Sequence, residues 1–592
     1  MTVTYADKPW LRYYDKGVPH SLYPYPNHPL PQFLSDAAAR TPNKVAVVTS
    51  AHLPVFGRRH ATLSYRELDA YSDALAAALV DMGVRKGDRV AIVLPNCAQF
   101  PITFFAILKI GAIVCAANPT YPPGKLKDQF RDCGANTVIT LSLFYKTIKD
   151  IQPETDIKNV IVTNIKEYLP GLASFLFTVA KERKEGHRIE KHPVDHNFAD
   201  LLSRYAGRKP NVPVTADDVA LFQYTGGTTG IPKAAVSTHQ ALVCNALQIR
   251  SFLGENASPN EVFLAAIPLF HVFGMVAVMA AAVSLGAGMI MVPNPRDIKE
   301  VLEVIDAFKP TIYMGVPAMY NAINNHPDVA KGKYDIHSIK ACVSGSAPLA
   351  PATKRRFEEL TGGKLVEGFG MSECPTAVCC NPLYGDNRAG SIGIPLPDVE
   401  VRIVSLDDEL TDVPVGKTGE LVIWSPNLML GYHNMPQETT AALRLGPDGK
   451  KWLYTGDIAY MDEDGYLYIV DRKKDMALIG GYNVYPNNVE KVLAEHPALQ
   501  EVAVAAVPHD DPSKQGQEML KAWLVVREGH TVTDQDLIKF ATDTQKLSRQ
   551  EIPTRYERVT ELPRTLVGKV LRRELVRMEM EARARDRAAT TT

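Results

Sequence analysis

Between Ser64 and Thr140 short apolar runs alternate with stretches of helical periodicity, and this alternation constrains the fold more than any other feature of the chain. Ser64-Tyr65-Arg66-Glu67 is a capping box, and the 3–4 apolar spacing behind it predicts a helix that stops at Gly83. Val90 to Leu94 is a short apolar run between turn residues, which predicts a buried strand. Helices over Phe100–Lys109 and Leu126–Asp132, and strands over Ala112–Ala116 and Thr137–Thr140, continue the pattern. Strands separated by helices imply an α/β fold with mainly parallel, helix-covered sheets. At 592 residues the chain is too long for one core, so more than one domain is expected.

Three segments depart from this pattern. The opening thirty residues are rich in proline and aromatics (Trp10, Tyr13, Tyr14, Tyr23, Tyr25) and read as an arm packed on a domain. Asp7, Lys8, Arg12, Asp15 and Lys16 interrupt that arm, which argues against a signal peptide. Phe273 to Pro293 carries no charge and is long enough to cross a bilayer, but Gly286, Ala287 and Gly288 break it. A buried helix, a turn and a buried strand are expected there. From Leu172 to Ala180 an apolar stretch runs into Lys181, Arg183, Lys184, His187, Arg188 and Lys191. A solvated surface helix in an insertion is the first reading, and an interfacial helix touching anionic lipid is the second.

After Asp462-Glu463-Asp464-Gly465 the texture changes to hairpin-like strands, a short helix near Val489–Glu495 and strands near Val502–Val507 and Leu520–Val526. A helix introduced by Thr533, with Asp536 three residues on, follows. This predicts a large N-terminal domain over 1–470, a hinge over 471–475 and a small mobile α+β domain over 476–592. A formal net charge of −1 argues against a nucleic-acid footprint. The eight cysteines are scattered, with only Cys374, Cys379 and Cys380 close together, so reduced structural thiols are expected.

The densest chemical signal is Tyr224-Thr225-Gly226-Gly227-Thr228-Thr229-Gly230-Ile231-Pro232-Lys233. Glycines allow positive φ and turn N–H groups inward, threonines add hydroxyl donors, and Lys233 adds a mobile positive charge. Such a loop suits a polyphosphate. It is not the Walker loop, because Lys233 stands between proline and alanine rather than in Gly-Lys-Ser/Thr.

These residues resemble the phosphate-binding signature of the adenylate-forming family, which includes acyl-CoA synthetases, luciferases and peptide-synthetase adenylation domains. The family's other motifs follow in order. His271 and Phe273 stand in Pro268-Leu269-Phe270-His271-Val272-Phe273-Gly274, which resembles the Pro-x-x-His-x-x-Gly pattern beside the acyl carboxylate. Ser344-Gly345-Ser346 resembles the segment between acyl pocket and adenine site, and Tyr313 and Gly315 are implied as further acyl contacts. Glu367-Gly368-Phe369-Gly370-Met371-Ser372-Glu373 resembles the aromatic-Gly-x-Thr-Glu motif, with phenylalanine for the commoner tyrosine and serine for threonine. The resemblance implies that Phe369 stacks on adenine, Ser372 donates to the α-phosphate and Gly370 borders the acyl group. It also implies that Glu373, with Thr225, holds Mg²⁺ through oxygen ligands. Asp457, in Tyr454-Thr455-Gly456-Asp457, and Arg472 are implied on the ribose. Lys569, in Pro563-Arg564-Thr565-Leu566-Val567-Gly568-Lys569, is implied as the lysine that enters the site during adenylation. Asp471 and Lys474 mark the hinge, and Gly480, Gly481 and Tyr482 mark the CoA side.

The Asp471–Met476 and Gly481–Pro486 segments, together with the Lys8-Pro9-Trp10-Leu11 arm, look like bacterial long-chain fatty acid–CoA ligases. The implied reaction converts a long- or medium-chain fatty acid to acyl-adenylate with Mg·ATP and transfers the acyl group to CoA. Lys569, Lys233, His271 and Glu373 are its implied catalytic residues. An aryl-CoA (4-coumarate-type) ligase and a fatty acyl-AMP ligase are the alternatives. A non-catalytic membrane scaffold would need a broken motif, whereas Lys233, Glu373, Asp457, Arg472 and Lys569 are all present. The expected placement is cytoplasmic, with peripheral contact to the inner face of an anionic membrane as an extension. Pairing into a homodimer is left open.

Overall fold

The computed structural model describes residues 3–53, 57–180, 182–225, 233–480, 482–510, 517–543, 546–565 and 569–590. Two compact units divide the chain. The smaller comprises Met1–Pro9, Val401–Ile423 and Tyr454–Thr592, and the larger Trp10–Glu400 and Trp424–Leu453. The smaller unit therefore takes in 401–423 and 454–470 besides the segment after 471.

In the larger unit the alternation read from the sequence becomes two sheets. One runs Gly431–Tyr432, Lys233–Thr238, Val219–Thr225, Ile113–Ala116, Arg89–Val93, Thr137–Leu141, Asn159–Thr163 and His196–Asn197. Its strands are parallel from Val219–Thr225 onward, and Lys233–Thr238 returns antiparallel. The other runs Ile394–Pro395, Thr376–Cys380, Lys364–Met371, Ala341–Ser344, Ile312–Gly315, Val262–Ala265, Gly288–Met291, Val45–Leu53 and Gly57–Ser64. Its middle is parallel and its edges are antiparallel. Buried apolar runs such as Ile113–Ala116 and Gly288–Met291 follow from coverage on both faces.

The helix Tyr65–Asp81 begins at the expected cap. The Ser64 hydroxyl accepts from the Glu67 N–H at 3.3 Å, and the Glu67 carboxylate accepts from the Ser64 N–H at 2.7 Å. Gly83, at φ +91, turns the chain after its end. The uncharged run from Phe273 is indeed core. It forms a π-helix over Phe273–Ala280, an α-helix over Ala281–Leu285, a turn at Gly286 and the strand Gly288–Met291. Among the described residues no helix is long and apolar enough to cross a membrane.

The smaller unit holds a sheet of strands Glu400–Val404, Gly419–Trp424 and Lys451–Met461, with Leu467–Arg472 antiparallel to the last. A second sheet places Glu518–Val526 between Leu499–Pro508 and Arg555–Arg558. Leu520, Ala522 and Leu524 pack on the helices Pro486–Leu493 and Asp534–Asp543. Met519, Trp523 and Val525 pack on Leu562 and Leu575 on the opposite face. The period-2 alternation thus fills two thin cores from one strand.

Candidate active site

In the larger unit the strands Val219–Thr225 and Lys233–Thr238 form an antiparallel pair that sets Thr225 opposite Lys233. Thr225 and Lys233, the residues flanking the glycine- and threonine-rich segment, are thereby held side by side on two adjacent strand ends. Gly226, Gly227, Thr228, Thr229 and Gly230, like Gly481, lie outside the described residues. Lys233 Nζ pairs with the Glu438 carboxylate and lies 5.3 Å from the centre of the Tyr432 ring. The Tyr432 hydroxyl donates to Glu373 Oε1 at 2.7 Å. Burial and the Glu373 carboxylate both push the Tyr432 hydroxyl's pKa well up, so it stays a donor.

Tyr432 thus links the lysine of the loop to the glutamate of the 367–373 motif. Neither it nor Glu438 was singled out from the sequence. Tyr432 reaches the site because Gly431–Tyr432 pairs with Ala235 and Val236 beyond Lys233. Gly431 at φ +149 leaves only 2.6 Å between an added Cβ and the Thr439 methyl, and a Gly-Tyr pair ahead of a polar helix was the signal available.

The 367–373 motif runs along the strand Lys364–Met371, and Ser372 and Glu373 sit in the turn before Thr376–Cys380. A Cβ on Gly370 would lie 1.5 Å from the Thr376 carbonyl oxygen, so only glycine lets these strands close. The Glu373 carbonyl accepts from the Met429 N–H at 2.8 Å, tying the turn down. Two hard oxygen donors, the Glu373 carboxylate and the Thr225 hydroxyl, suit a magnesium ion that takes its remaining ligands from phosphate and water. Among the described residues no group of three or more His, Cys, Asp and Glu could hold a metal without such help.

His271 precedes the π-helix. Its Nδ1 accepts from the Phe273 N–H at 3.2 Å, which leaves the proton of a neutral ring on Nε2. Burial pushes its pKa down to about 4, so the ring is neutral at pH 7. The Phe273 ring lies 3.3 Å from where a Gly345 Cβ would stand, and the Gly345 N–H donates to the Gly315 carbonyl at 3.1 Å. His271, Phe273, Gly315 and Gly345 are thus assembled by contacts between three segments. Ser346 follows in the left-handed region at φ +68, a strained conformation for a non-glycine residue. Tyr313 is placed differently. It is wholly buried, with its ring 5.1 Å from that of Tyr320 and 6.5 Å from that of Phe357, in the core cluster.

In the smaller unit Asp457 and Arg472 are cross-strand partners, and Arg472 Nε meets Asp457 Oδ1 at 3.0 Å. Asp457 Oδ2 is buried with no hydrogen-bond partner. A buried carboxylate oxygen without a donor is costly unless a ligand supplies one. Lys569 and Lys474 belong to the same neighbourhood. Crowding and the Arg472 guanidinium push the ammonium of each down to about 8, with Asp475 acting oppositely on both and Asp457 on Lys569. Both lysines keep exposed surface, so the desolvation is partial and the neighbouring cations add to it.

Asp471 is fully buried. Its carboxylate accepts from the Arg472 N–H at 2.7 Å, the Asn487 N–H at 2.8 Å and the Asn487 amide at 3.1 Å, and burial pushes its pKa up to about 6. Arg572 grips Glu490 on the same helix and lies 3.7 Å from Asp475. Gly480 (φ +58) and the exposed Tyr482 form the tip of the hairpin Ala477–Ile479/Tyr482–Val484.

Two family profiles match this arrangement: "AMP-binding enzyme" over residues 34–433 and "AMP-binding enzyme C-terminal domain" over 488–569. The chain belongs to the AMP-binding enzyme family. This AMP-binding enzyme is 39% identical to a long-chain-fatty-acid–CoA ligase of Bacillus subtilis over 97% of the chain and 99% of that protein. It is 35% identical to the Salmonella typhimurium protein of the same name, over 96% of the chain and 98% of that protein. Among solved structures, ATP-bound MatB from Rhodopseudomonas palustris is similar with a TM-score of 0.79 at 27% identity, covering 93% of the chain and 99% of MatB. As expected from its α/β reading, the AMP-binding enzyme shares the fold of these proteins.

Proposed function

We propose that this enzyme is an AMP-forming acid–thiol ligase that activates a long- or medium-chain fatty acid and passes it to CoA. It uses ATP with Mg²⁺, and CoA is its acyl acceptor. The observation that carries the reading is that Lys233, Glu373, Asp457, Arg472 and Lys569 are all in place in a chain similar over 97% of its length to a long-chain-fatty-acid–CoA ligase.

A carboxylate is a poor acyl donor because oxide cannot leave at neutral pH. In the first half-reaction a substrate carboxylate oxygen attacks the α-phosphorus and pyrophosphate departs. Catalysis is positioning plus charge stabilisation, and no covalent enzyme intermediate is needed. The Thr225–Lys233 loop cradles the departing phosphates. Glu373 and Thr225 would hold Mg²⁺, which neutralises phosphate charge when bound. Neutral His271, with a proton on Nε2, offers a donor to the carboxylate without adding charge. Phe369 supplies a stacking face for adenine, Ser372 donates to the α-phosphate, and Asp457 Oδ2 accepts from a ribose hydroxyl. Lys569 bridges carboxylate and α-phosphate.

In the second half-reaction the CoA sulfur attacks the adenylate carbonyl carbon, the carbon–oxygen bond to phosphate breaks, and the thiol proton is lost to water. Gly480, Gly481 and Tyr482 form the CoA side. Lys569 must vacate the site for this step, so the segment after the hinge, 476–592, swivels at Asp471–Lys474, a motion that would break the Asp471–Asn487 bonds.

The test is AMP release with Mg·ATP and CoA across octanoate, palmitate, oleate, coumarate and acetate. A maximum among the longer fatty acids is expected, and a maximum at coumarate or acetate would overturn the acyl assignment while leaving adenylation intact. We place the enzyme in the cytoplasm with peripheral contact to anionic lipid. A homodimer is a separate proposal, tested by light scattering.

A further inference from the structure

Lys233, the cation that closes the phosphate-loop segment, already has a carboxylate partner in Glu438, and the fold builds that meeting with care. The strand Gly431–Tyr432 is tied to the strand carrying Lys233 on either side of its register. The Leu430 N–H donates to the Val236 carbonyl at 2.8 Å, and the His433 N–H donates to the Ala234 carbonyl at 2.9 Å. The helix Pro436–Ala442 follows, and Thr439 pins its first turn back onto the strand. The Thr439 hydroxyl accepts from the Tyr432 N–H at 2.9 Å and donates to the Met435 carbonyl at 2.9 Å. Glu438, one residue before Thr439, is thereby delivered to the Lys233 ammonium, which also lies 5.3 Å from the centre of the Tyr432 ring.

The two partners are unequally covered. The Lys233 side chain is 19% exposed and that of Glu438 is 47% exposed. The lysine is the fixed half of the pair, and the glutamate is the half that turns back to water at little cost. A polyphosphate brings several anionic oxygens to the same ammonium and is a stronger partner than one carboxylate. Two anions against one cation repel each other, so carboxylate and phosphate compete for it. A nucleoside monophosphate, with neither β- nor γ-phosphate, stands outside that competition.

We propose that Glu438 is an internal competitor for Lys233: its carboxylate holds the ammonium until the polyphosphate of ATP displaces it, and recaptures it as pyrophosphate leaves. Glu438 thereby sets the affinity for polyphosphate and hastens release of the product. This rests on the reading that the Thr225–Lys233 loop cradles the departing phosphates.

The experiment is isothermal titration calorimetry of the full-length enzyme with pyrophosphate, ATP and AMP, each with Mg²⁺ and without fatty acid or CoA. Wild type, Glu438→Gln, Lys233→Met and the double variant are compared. Glu438→Gln should tighten pyrophosphate and ATP binding about two- to fivefold, the scale of a half-exposed ion pair, and leave AMP unchanged. High salt should narrow that gain. Lys233→Met should weaken pyrophosphate and ATP binding, and adding Glu438→Gln to it should bring little further gain. Pyrophosphate should also inhibit AMP release more strongly in Glu438→Gln, by the same factor. If Lys233→Met weakens pyrophosphate binding but Glu438→Gln leaves it unchanged or weaker, the proposal falls and the loop reading stands. A gain of full size that persists with Lys233→Met also overturns the proposal, because general repulsion of anions would then explain it. Wild-type binding of pyrophosphate and ATP by Lys233→Met would overturn the loop reading and the proposal together.

Discussion

Asp457 and Arg472 face each other across two antiparallel strands, and the 3.0 Å contact between them engages only one of the two carboxylate oxygens. The other oxygen is buried and without a partner. The guanidinium thus fixes the carboxylate's orientation and leaves its second oxygen as the acceptor that the proposed ribose contact would use.

Asp457→Ala should weaken nucleotide binding far more than folding. A hydrogen bond to a charged group contributes about 1.5–3 kcal/mol, so the KM for ATP should rise about 10- to 100-fold. Steady-state kinetics with varied ATP measures this, and an unchanged KM would remove Asp457 from the ribose site.

Lys569→Ala should abolish adenylate formation yet spare thioester formation from supplied acyl-AMP. The folded-state pKa of Lys569 is depressed to about 8, so its ammonium is complete below that pH and lost above it. The adenylation rate should therefore fall as pH rises through about 8. Lys569→Arg, which keeps its charge, should carry whatever activity it retains to higher pH. Single-turnover adenylate formation across pH 6.5–9.5 reads both effects, and equal loss of both half-reactions in Lys569→Ala would sink the assignment.

Tyr432→Phe removes the donor to Glu373 Oε1 but keeps the ring beside Lys233. The half-saturating Mg²⁺ concentration for AMP release should rise several-fold, because Glu373 loses the group that holds its orientation. A magnesium titration identical to wild type would detach Tyr432 from that site.

Gly370→Ala places a methyl 1.5 Å from the Thr376 carbonyl, which backbone alone must relieve. The antiparallel turn carrying Ser372 and Glu373 should distort, with a stability loss of about 3 kcal/mol or more and loss of adenylation. Denaturant unfolding followed by tryptophan fluorescence measures it.

Local signals carried most of the fold. The Ser64–Glu67 cap, the Val90 strand and the Thr533–Asp536 cap all formed within a residue or two of where the spacing put them. The π-helix at Phe273–Ala280 was hidden because an all-apolar run shows no facing stripe from which a period can be measured. Asp457 and Arg472 were placed together by the family resemblance, and the structure makes them cross-strand partners on one hairpin. Tyr432 and Glu438 were not, since their approach to Lys233 depends on a strand pairing that spans roughly 200 positions of sequence and leaves no local period. Tyr313 was drawn into the acyl wall by its place in the chain, but its side chain belongs to the aromatic core with Tyr320 and Phe357.

All eight cysteines are buried and unbridged, and burial pushes the thiols of Cys97, Cys115, Cys244, Cys342, Cys374, Cys379 and Cys380 upward. A thiolate is the competent nucleophile toward an activated acyl group, and a buried thiol with a raised pKa is neither ionised nor reachable. For a catalyst that prepares an acyl-adenylate in order to hand it to a sulfur, this is chemical discretion. The protein withholds its own sulfur from self-acylation and from mixed disulfides with CoA, so the acceptor's thiol is left as the sulfur with access to the acyl group.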